Sequence, residues 1–306
     1  MSSSIAARGD ENIAAMEPER SLEVGPDQVG LRLDAVVARA LGLSRGWVRK
    51  LLAAGRVQLG GRPAAKGAIL RAGDTIVVLP FARPEAGPLP NPGLEIRILR
   101  EHAGLVAVDK PAGLPVHPLA PGETGSVANA LVALRPELAG VGEGGLRSGV
   151  VHRLDPGTSG VLVFALRDDA WRAARAAFAE KRVAKRYLAR VHGALEGERE
   201  VELLLENRGD HARVVASGGR LAVSHVRALE TSADTSLVEV IMRTGVRHQI
   251  RATLATLGHP IVGDRVYGST AALDRHLLHA ASLAWDDFAA ESEPPAELRP
   301  RAPDAT

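Results

Sequence analysis

The sequence contains no cysteine. That excludes disulfides, thiolate zinc sites and a cysteine nucleophile, and it fits a reducing compartment. Aromatic residues are scarce, 3% of 306 residues, so the core must come from the aliphatic share of a 45% hydrophobic complement. No stretch reaches the roughly 18 consecutive apolar residues that a membrane-spanning helix needs, so no membrane association is expected. The opening MSSSIAARGDENIAAMEPER carries acids and lacks an apolar segment. It does not read as a secretory signal, and a cytoplasmic location is the expectation.

Net charge is only +2, but its distribution is uneven. Residues 1–30 hold six acids against Arg8 and Arg20, and residues 286–306 hold six against Arg299 and Arg301. Between them lie 34 basic and 24 acidic residues, a surplus of +10. A basic body with acidic tails suggests a polyanionic partner. A solvated, arginine-rich surface is the alternative, and charge does not choose between them.

The length allows one large domain, or a medium domain plus a small one. Residues 1–25 are polar and aperiodic and read as a disordered tail. Residues 26–79 form a small unit. Leu31, Leu33, Val36, Val37 and Leu41 predict a first helix. Ser44 is a suitable N-cap for a second, RGWVRKLLAA, with Trp47, Val48, Leu51 and Leu52 as its apolar stripe and Gly55 as its end. Strands are expected at 56–59 and 75–79 around the turn-forming Gly60-Gly61. Residues 80–92 contain five prolines and read as a stiff linker. A larger unit spans 93–285, followed by an acidic, disordered tail at 286–306.

Within that larger unit, Leu105–Val108 and Val161–Leu166 look like buried strands. The segments at 187–191, 221–229 and 237–242 alternate more like half-exposed ones. Asp168 or Asp169 is placed to cap a helix carrying Trp171, Ala174 and Phe178, and 248–257 reads as another helix ended by Gly258. Strands outnumber helices, which predicts an α+β fold with a mixed or antiparallel sheet.

The most informative stretch is GVVHRLDPGTSGVLVFAL, from Gly149 to Leu166. Two apolar runs flank a polar loop, and Pro156-Gly157 enforces a tight turn directly after Asp155. Such a loop holds side chains at the end of a rigid sheet, where catalytic groups are often placed. A neighbouring arginine favours the charged form of a carboxylate, which can serve as nucleophile or base. An Asx-type turn in a plain connection satisfies the same spacing.

HRLDPGTSG, residues 152–160, resembles the central motif of the RluA family of RNA pseudouridine synthases. Three further segments are similar to the family in the same order. They are LVAVDKPAGLPVHP at 105–118, KRYLARVHG at 185–193, and RTGVRHQIRATLATLGHPIVGDRVYG at 243–268. LLHAASL at 277–283 resembles its closing helix or strand. Residues 31–79 resemble an S4-like RNA-binding domain, through RLD at 32–34, SRGWVRKLL at 44–52 and GRVQLGG at 55–61. Between Leu31 and Arg62 seven Arg or Lys face one acid.

The resemblance implies a pseudouridine synthase catalytic domain behind a small α/β RNA-binding domain. The reaction is cofactor-free and metal-free: the ribose–N1 bond of a uridine breaks, the base turns, and it rejoins through carbon 5. By the same resemblance Asp155 carries the chemistry, by attacking ribose C1′ or by removing a neighbouring ribose proton. Arg251 pairs with that aspartate, Tyr187 packs on the uracil, and Arg153 helps fill the space the extruded base leaves. His152, Lys185, Arg186 and Arg247 are expected to contact the substrate, as are Arg45, Arg49 and Lys50 of the N-terminal unit. Two departures stand out: Val246 where the family has arginine, displaced here to Arg247, and Thr253 where it has histidine. If a helix begins near Val246, Arg247 and Arg251 share one face of it. The expected partner is structured RNA, with large-subunit ribosomal RNA favoured by the S4-like domain and transfer RNA as the alternative, and the protein acting as a monomer. The alternatives are a zinc hydrolase, for which ten histidines are available but no HExxH, and an RNA-binding factor without activity.

Overall fold

The structure, a computed structural model, describes residues 16–83 and 87–300. In the N-terminal unit, β1 (Met16–Glu17) and β2 (Arg20–Glu23) precede helices α1 (Leu33–Leu41) and α2 (Arg45–Ala53). Strands β3 (Val57–Leu59), β4 (Arg62–Pro63), β5 (Thr75–Val78) and β6 (Phe81–Ala82) follow. The sheet order is β2-β5-β3-β4, and β1 pairs with β6. Ser44 caps α2 as expected, its hydroxyl accepting from the Trp47 amide at 3.2 Å. Gly42, at φ 65°, closes α1. Leu33, Val37, Val48, Val57, Ile76 and Val78 seal the core between helices and sheet.

Three organisational expectations are corrected. Residues 16–17 and 20–23 of the expected disordered tail are strands, with β2 completing the edge beside β5 (Leu22 opposite Ile76). The remainder of that tail, 1–15, lies outside the described residues. Residues 286–300 are ordered as well: β16 (Phe288–Glu291) extends the large sheet and Leu298 is fully buried. Buried Arg190 anchors this segment through the carbonyls of Glu297 and Arg299. Residues 301–306 are not described. The proline-rich linker is partly seated: Asn129 donates to the Leu89 carbonyl at 2.7 Å and its own carbonyl accepts from the Asn91 amide.

The large unit is built from β7 (Arg97–His102), β8 (Leu105–Lys110), α3 (Val127–Leu134), β9 (Ser159–Ala165), α4 (Asp168–Ala179) and β10 (Ala184–His192). These lead into β11 (Glu198–Arg208), β12 (His211–Val214), β13 (Arg220–Thr231), β14 (Thr235–Met242), α5 (Gln249–Thr256) and β15 (Leu278–Trp285). Nine strands run in the order β12-β11-β13-β14-β10-β15-β9-β8-β7, with β16 added beside β15. Pairing is antiparallel except between β9 and β15, so the sheet is mixed, as the strand-rich pattern predicts.

Strand side chains sort by parity. Val106, Val108, Leu162 and Phe164 face α3 and α5, whereas Ala107, Val161, Val163 and Ala165 face α4. Both faces are covered, so β8 and β9 read as continuous apolar runs. The same coverage corrects the reading of 187–191 and 237–242 as half-exposed. β10 lies between β14 and β15, and Tyr187 through Val191 are all buried. Neither candidate aspartate caps α4. Arg167 holds the cap position, and Asp168 instead accepts from the Gly142 amide at 2.7 Å.

One row across this sheet fixes the functional loop. Tyr187 pairs with Ala280, Ala280 with Gly160, and Gly160 with Lys110. Gly160 has φ 109°, and a Cβ there would run into the Ala280 backbone. Gly160→Ala should therefore cost about 3 kcal/mol or more. Gly140→Ala, at φ 85° with open space around it, should cost about 1 kcal/mol. Urea unfolding of both variants checks the difference, and equal losses would contradict this account of the strand contact.

Candidate active site

Asp155 sits in the turn between the buried Val150-Val151 segment and β9. Its carbonyl accepts from the Thr158 amide at 3.0 Å, closing the turn that Pro156-Gly157 enforces. Buried Lys110 braces that turn from below. Its ammonium donates to the carbonyls of Pro111 (2.9 Å), Pro156 (2.8 Å) and Thr158 (2.7 Å). Burial lowers the Lys110 pKa to about 8, against the attraction of Asp155. His276 braces the other side, with Nε2 at 2.8 Å from the Thr158 hydroxyl. Burial drives its pKa down to about 4, so it is neutral. Gly157 lies so close to the His276 ring that a Cβ would meet it at 2.9 Å.

Arg251, on the first turns of α5, reaches this loop. Its guanidinium donates through Nη1 to Asp155 Oδ2 at 3.0 Å, and through Nε and Nη2 to the two oxygens of Asp264 at 2.6 and 2.8 Å. The Asp264 pair is a bidentate fork, the strong geometry for arginine and carboxylate. Burial opposes the Arg251 charge, but the Asp264 and Asp155 carboxylates outweigh it and raise its pKa. Below the guanidinium lies the Tyr267 ring, 5.0 Å from its centre.

His248 completes the group and has a defined tautomer. The Tyr267 hydroxyl donates to the Ala212 carbonyl (3.1 Å) and accepts from the Ala212 amide (2.7 Å). His248 Nδ1, 3.2 Å from that hydroxyl, must therefore carry the proton, and Nε2 accepts from Arg251 Nη1 at 3.1 Å. Burial first, with the arginines adding to it, depresses the His248 pKa and keeps the ring neutral. His248 adopts φ 55° just before α5, a left-handed conformation rare outside glycine.

Tyr187 arrives from β10 next to a register shift after Arg186. The ring is buried, and its hydroxyl has no hydrogen-bond partner among the described residues. Burial, with the Asp155 charge adding to it, lifts the phenol well above its usual pKa. Asp155 keeps 26% of its side chain exposed, and its Oδ1 makes no hydrogen bond among the described residues. One oxygen of the carboxylate is thus pinned and the other is free.

The structure does not bring the other sequence candidates into this cluster as expected. His152 is turned inward. Its Nε2 accepts from the Val163 amide at 3.0 Å and its ring stacks on Phe178, centroids 4.9 Å apart. Burial takes its pKa to about 3, so the ring is neutral. Arg247 does not share a helical face with Arg251, because α5 begins only at Gln249. Its guanidinium caps the Gly209 and Asp210 carbonyls at 2.7 and 2.9 Å, tying down the β11–β12 turn. Arg45 joins Arg32 in neutralising buried Asp34, at 3.2 Å. Lys185 donates to the Thr244 carbonyl at 2.8 Å, and Arg186 lies 3.4 Å from Glu239. Arg153 is exposed and has no partner among the described residues. Arg49 and Lys50 lie on α2, where Arg49 donates to the Arg45 carbonyl.

Sequence reasoning passed over Lys110, Asp264, Tyr267, His248 and His276 as site groups. The available signal was polar residues embedded in apolar surroundings: Lys110 ending β8, Asp264 just after Ile261-Val262, and the three-residue spacing of His248 and Arg251. At the departures, Val246 is buried against Leu205, Ala222, Ala252 and Tyr267, and Thr253 is fully buried with an unpartnered hydroxyl. Neither position faces solvent. Among the described residues no cluster suited to a metal ion occurs.

Lys110→Met tests the brace. Three carbonyls would lose their donor, so a stability loss of about 3 kcal/mol is expected in urea unfolding. A loosened turn should also lower the single-turnover rate more than RNA affinity. Wild-type stability would show that the ammonium does not hold the turn.

Comparison with known proteins bears on the whole chain. A family model described as RNA pseudouridylate synthase matches residues 104–256, and an S4 domain model matches residues 31–76. An uncharacterized RNA pseudouridine synthase of Mycobacterium bovis is 38% identical over 283 residues, covering 87% of this chain and 90% of that protein. A protein of Zymomonas mobilis named ribosomal large subunit pseudouridine synthase D is 34% identical over 292 residues, covering 88% and 90%. Among solved structures, human RNA pseudouridylate synthase domain containing 4 shares the fold. Its TM-score is 0.54 at 24% identity, covering 66% of this chain and 90% of that one. With the motif order, the sheet and these relatives in agreement, the chain belongs to the RluA-type RNA pseudouridine synthases, isomerases of uridine in RNA, and carries an S4 domain ahead of its catalytic unit.

Proposed function

We propose that this chain isomerises particular uridines of large-subunit ribosomal RNA, with Asp155 as the catalytic carboxylate. The observation that carries the reading is the Asp155 carboxylate itself. Buried Arg251 holds Oδ2 at 3.0 Å, while Oδ1 has no partner among the described residues. A carboxylate fixed by one oxygen is oriented for chemistry at the other. Oδ1 either attacks ribose C1′ or removes the adjacent C2′ proton. The C1′–N1 bond breaks, the uracil turns, the C1′–C5 bond forms, the C5 hydrogen leaves as a proton, and N1 takes up a proton, so that the product is an isomer of the uridine. A single carboxylate suffices because the leaving base is retained, whereas glycoside hydrolysis needs a pair.

In this reading Tyr187 packs on the uracil, since an aromatic side chain holds a base while permitting rotation in plane. Arg153, unpaired and two residues from Asp155, is placed to fill the gap that base extrusion leaves. The ribosomal assignment rests on the printed name of the Zymomonas mobilis relative and on the S4 domain. A cysteine-free chain suits that work in the cytoplasm.

Asp155→Asn should abolish tritium release from RNA labelled at uracil carbon 5, a loss of about a thousandfold or more. RNA affinity should stay within a few fold, since a carboxylate repels phosphate. Release near the wild-type rate would remove Asp155 from the mechanism.

Arg251→Met and Arg247→Ala separate two roles. Arg251→Met frees Asp155 and leaves Asp264 buried without its partner. It should cost about 3–5 kcal/mol of stability and lower the single-turnover rate of whatever protein remains folded. Arg247→Ala releases only the β11–β12 turn and should leave the chemical step intact while weakening binding. Loss of chemistry in Arg247→Ala with retention in Arg251→Met would exchange the assignments.

A further inference from the structure

The cleft between the S4 domain and the catalytic unit is not part of the uridine site. Its volume is about 510 Å³, within the roughly 300–1,000 Å³ of sites that take a small-molecule-sized group. Trp47 and Lys50 of α2 form one wall, and His117, Leu119, Glu143 and Arg147 form the other. The sequence pattern assigns Trp47 to the apolar stripe of α2, yet it is only partly buried while Val48 and Leu51 are sealed. Its indole N–H finds no acceptor among the described residues. Leu119 is 70% exposed on the facing wall, an apolar side chain with no protein surface to cover it.

We propose that this cleft takes one unpaired nucleotide of the substrate RNA, outside the target uridine, with its base held between Trp47 and Leu119. This rests on the RNA substrate of the reading above. Three observations point to a nucleotide. The aromatic and apolar walls offer a stacking surface for any base. The Lys50 ammonium lies 5.0 Å over the Trp47 ring and pairs with no carboxylate among the described residues, so it can turn to a phosphate. The polar groups opposite suit a base edge: the Glu143 carboxylate, held ionised by Arg147 at 2.7 Å, accepts from base N–H groups. His117 donates Nδ1–H to the Pro118 carbonyl, which leaves Nε2 as a second acceptor.

A second extruded nucleotide in this cleft gives the S4 domain a role in choosing which uridine is presented, beyond general phosphate attraction.

The test uses the full-length protein and transcribed large-subunit ribosomal RNA. Trp47→Ala and Leu119→Ala should each weaken RNA binding roughly tenfold, the loss expected for one base stack. Trp47→Phe should retain most affinity. Single-turnover rates at saturating RNA should be unchanged in all three. The double variant should lose no more than the worse single one, since both walls hold the same base. RNA bearing 5-iodouridine should cross-link to Trp47 on irradiation. Wild-type affinity in both alanine variants, or strictly additive losses with no cross-link, would overturn the proposal. So would loss of affinity for a protein ligand instead of RNA. Tritium release by the wild-type protein is scored separately: its absence would sink the ribosomal RNA reading, while affinities and cross-links still decide the cleft.

Discussion

Everything around Asp155 depends on one buried cation. Arg251 exposes only 8% of its side chain, and Asp264, which forks onto it, exposes 1%. Taking both out of water is costly, and the fork with its added hydrogen bonds is what makes the arrangement tolerable. Asp264 uses both of its oxygens on Arg251 and so fixes the plane of the guanidinium. The remaining Nη1 hydrogens can then point only at Asp155 and His248. Three distant segments are locked by one side chain: the 152–160 turn, the start of α5 and the loop that follows Gly258. The left-handed His248 follows from the same constraint, because its ring must meet Arg251 on one side and Tyr267 on the other.

The sheet supplies the rigidity that this cation needs. Asp155 itself is on a turn, and a turn alone would wander. Lys110 sits at the end of β8 and reaches into the turn, converting strand order into loop order. Among the described residues no carboxylate is bonded to its charge; three carbonyls solvate it in place of water. The close approach of β9 to β15 at Gly160 sets the distance from that brace to Tyr187, which pairs with the same residue of β15. On the face toward α4, the small and branched side chains of Ala107, Val161 and Val163 pack in one cluster with Ala170, Ala174 and Ala177 of that helix.

Much of this was legible in the sequence, and the failures share a cause. Asp155 before Pro156-Gly157, the Ser44 cap and the apolar runs of β8 and β9 are local signals, and local geometry honours them. Arg251 and Asp155, which the resemblance pairs, lie 3.0 Å apart. The partners of His152, Arg45 and Arg247 were not legible, because a polar side chain's partner is set by tertiary contact and not by neighbours in sequence. His152 found a backbone amide, Arg45 a buried aspartate, and Arg247 the carbonyls of a hairpin turn. The ends of the chain misled for a similar reason. Acidic, aperiodic composition at 286–300 hides Phe288 and Leu298, two buried anchors that need only a neighbouring strand and a basic clamp to become ordered.

The surplus of positive charge is therefore not a uniform coating. An arginine paired to a carboxylate presents little field to a polyanion, whereas one bonded to carbonyls keeps its full charge. Arg45 with Asp34 and Arg186 with Glu239 belong to the first kind. Arg247 on its hairpin carbonyls, Lys185 on Thr244 and Arg49 on Arg45 belong to the second. Arg153 and Lys50 have no bonded partner among the described residues at all. Fixed cations of the second kind can meet an anion at little entropic cost, since their side chains are already ordered. On the reading proposed above, Arg153 beside the Asp155 turn and Lys50 in the interdomain cleft would supply the adaptable charge that an enzyme unstacking its substrate requires.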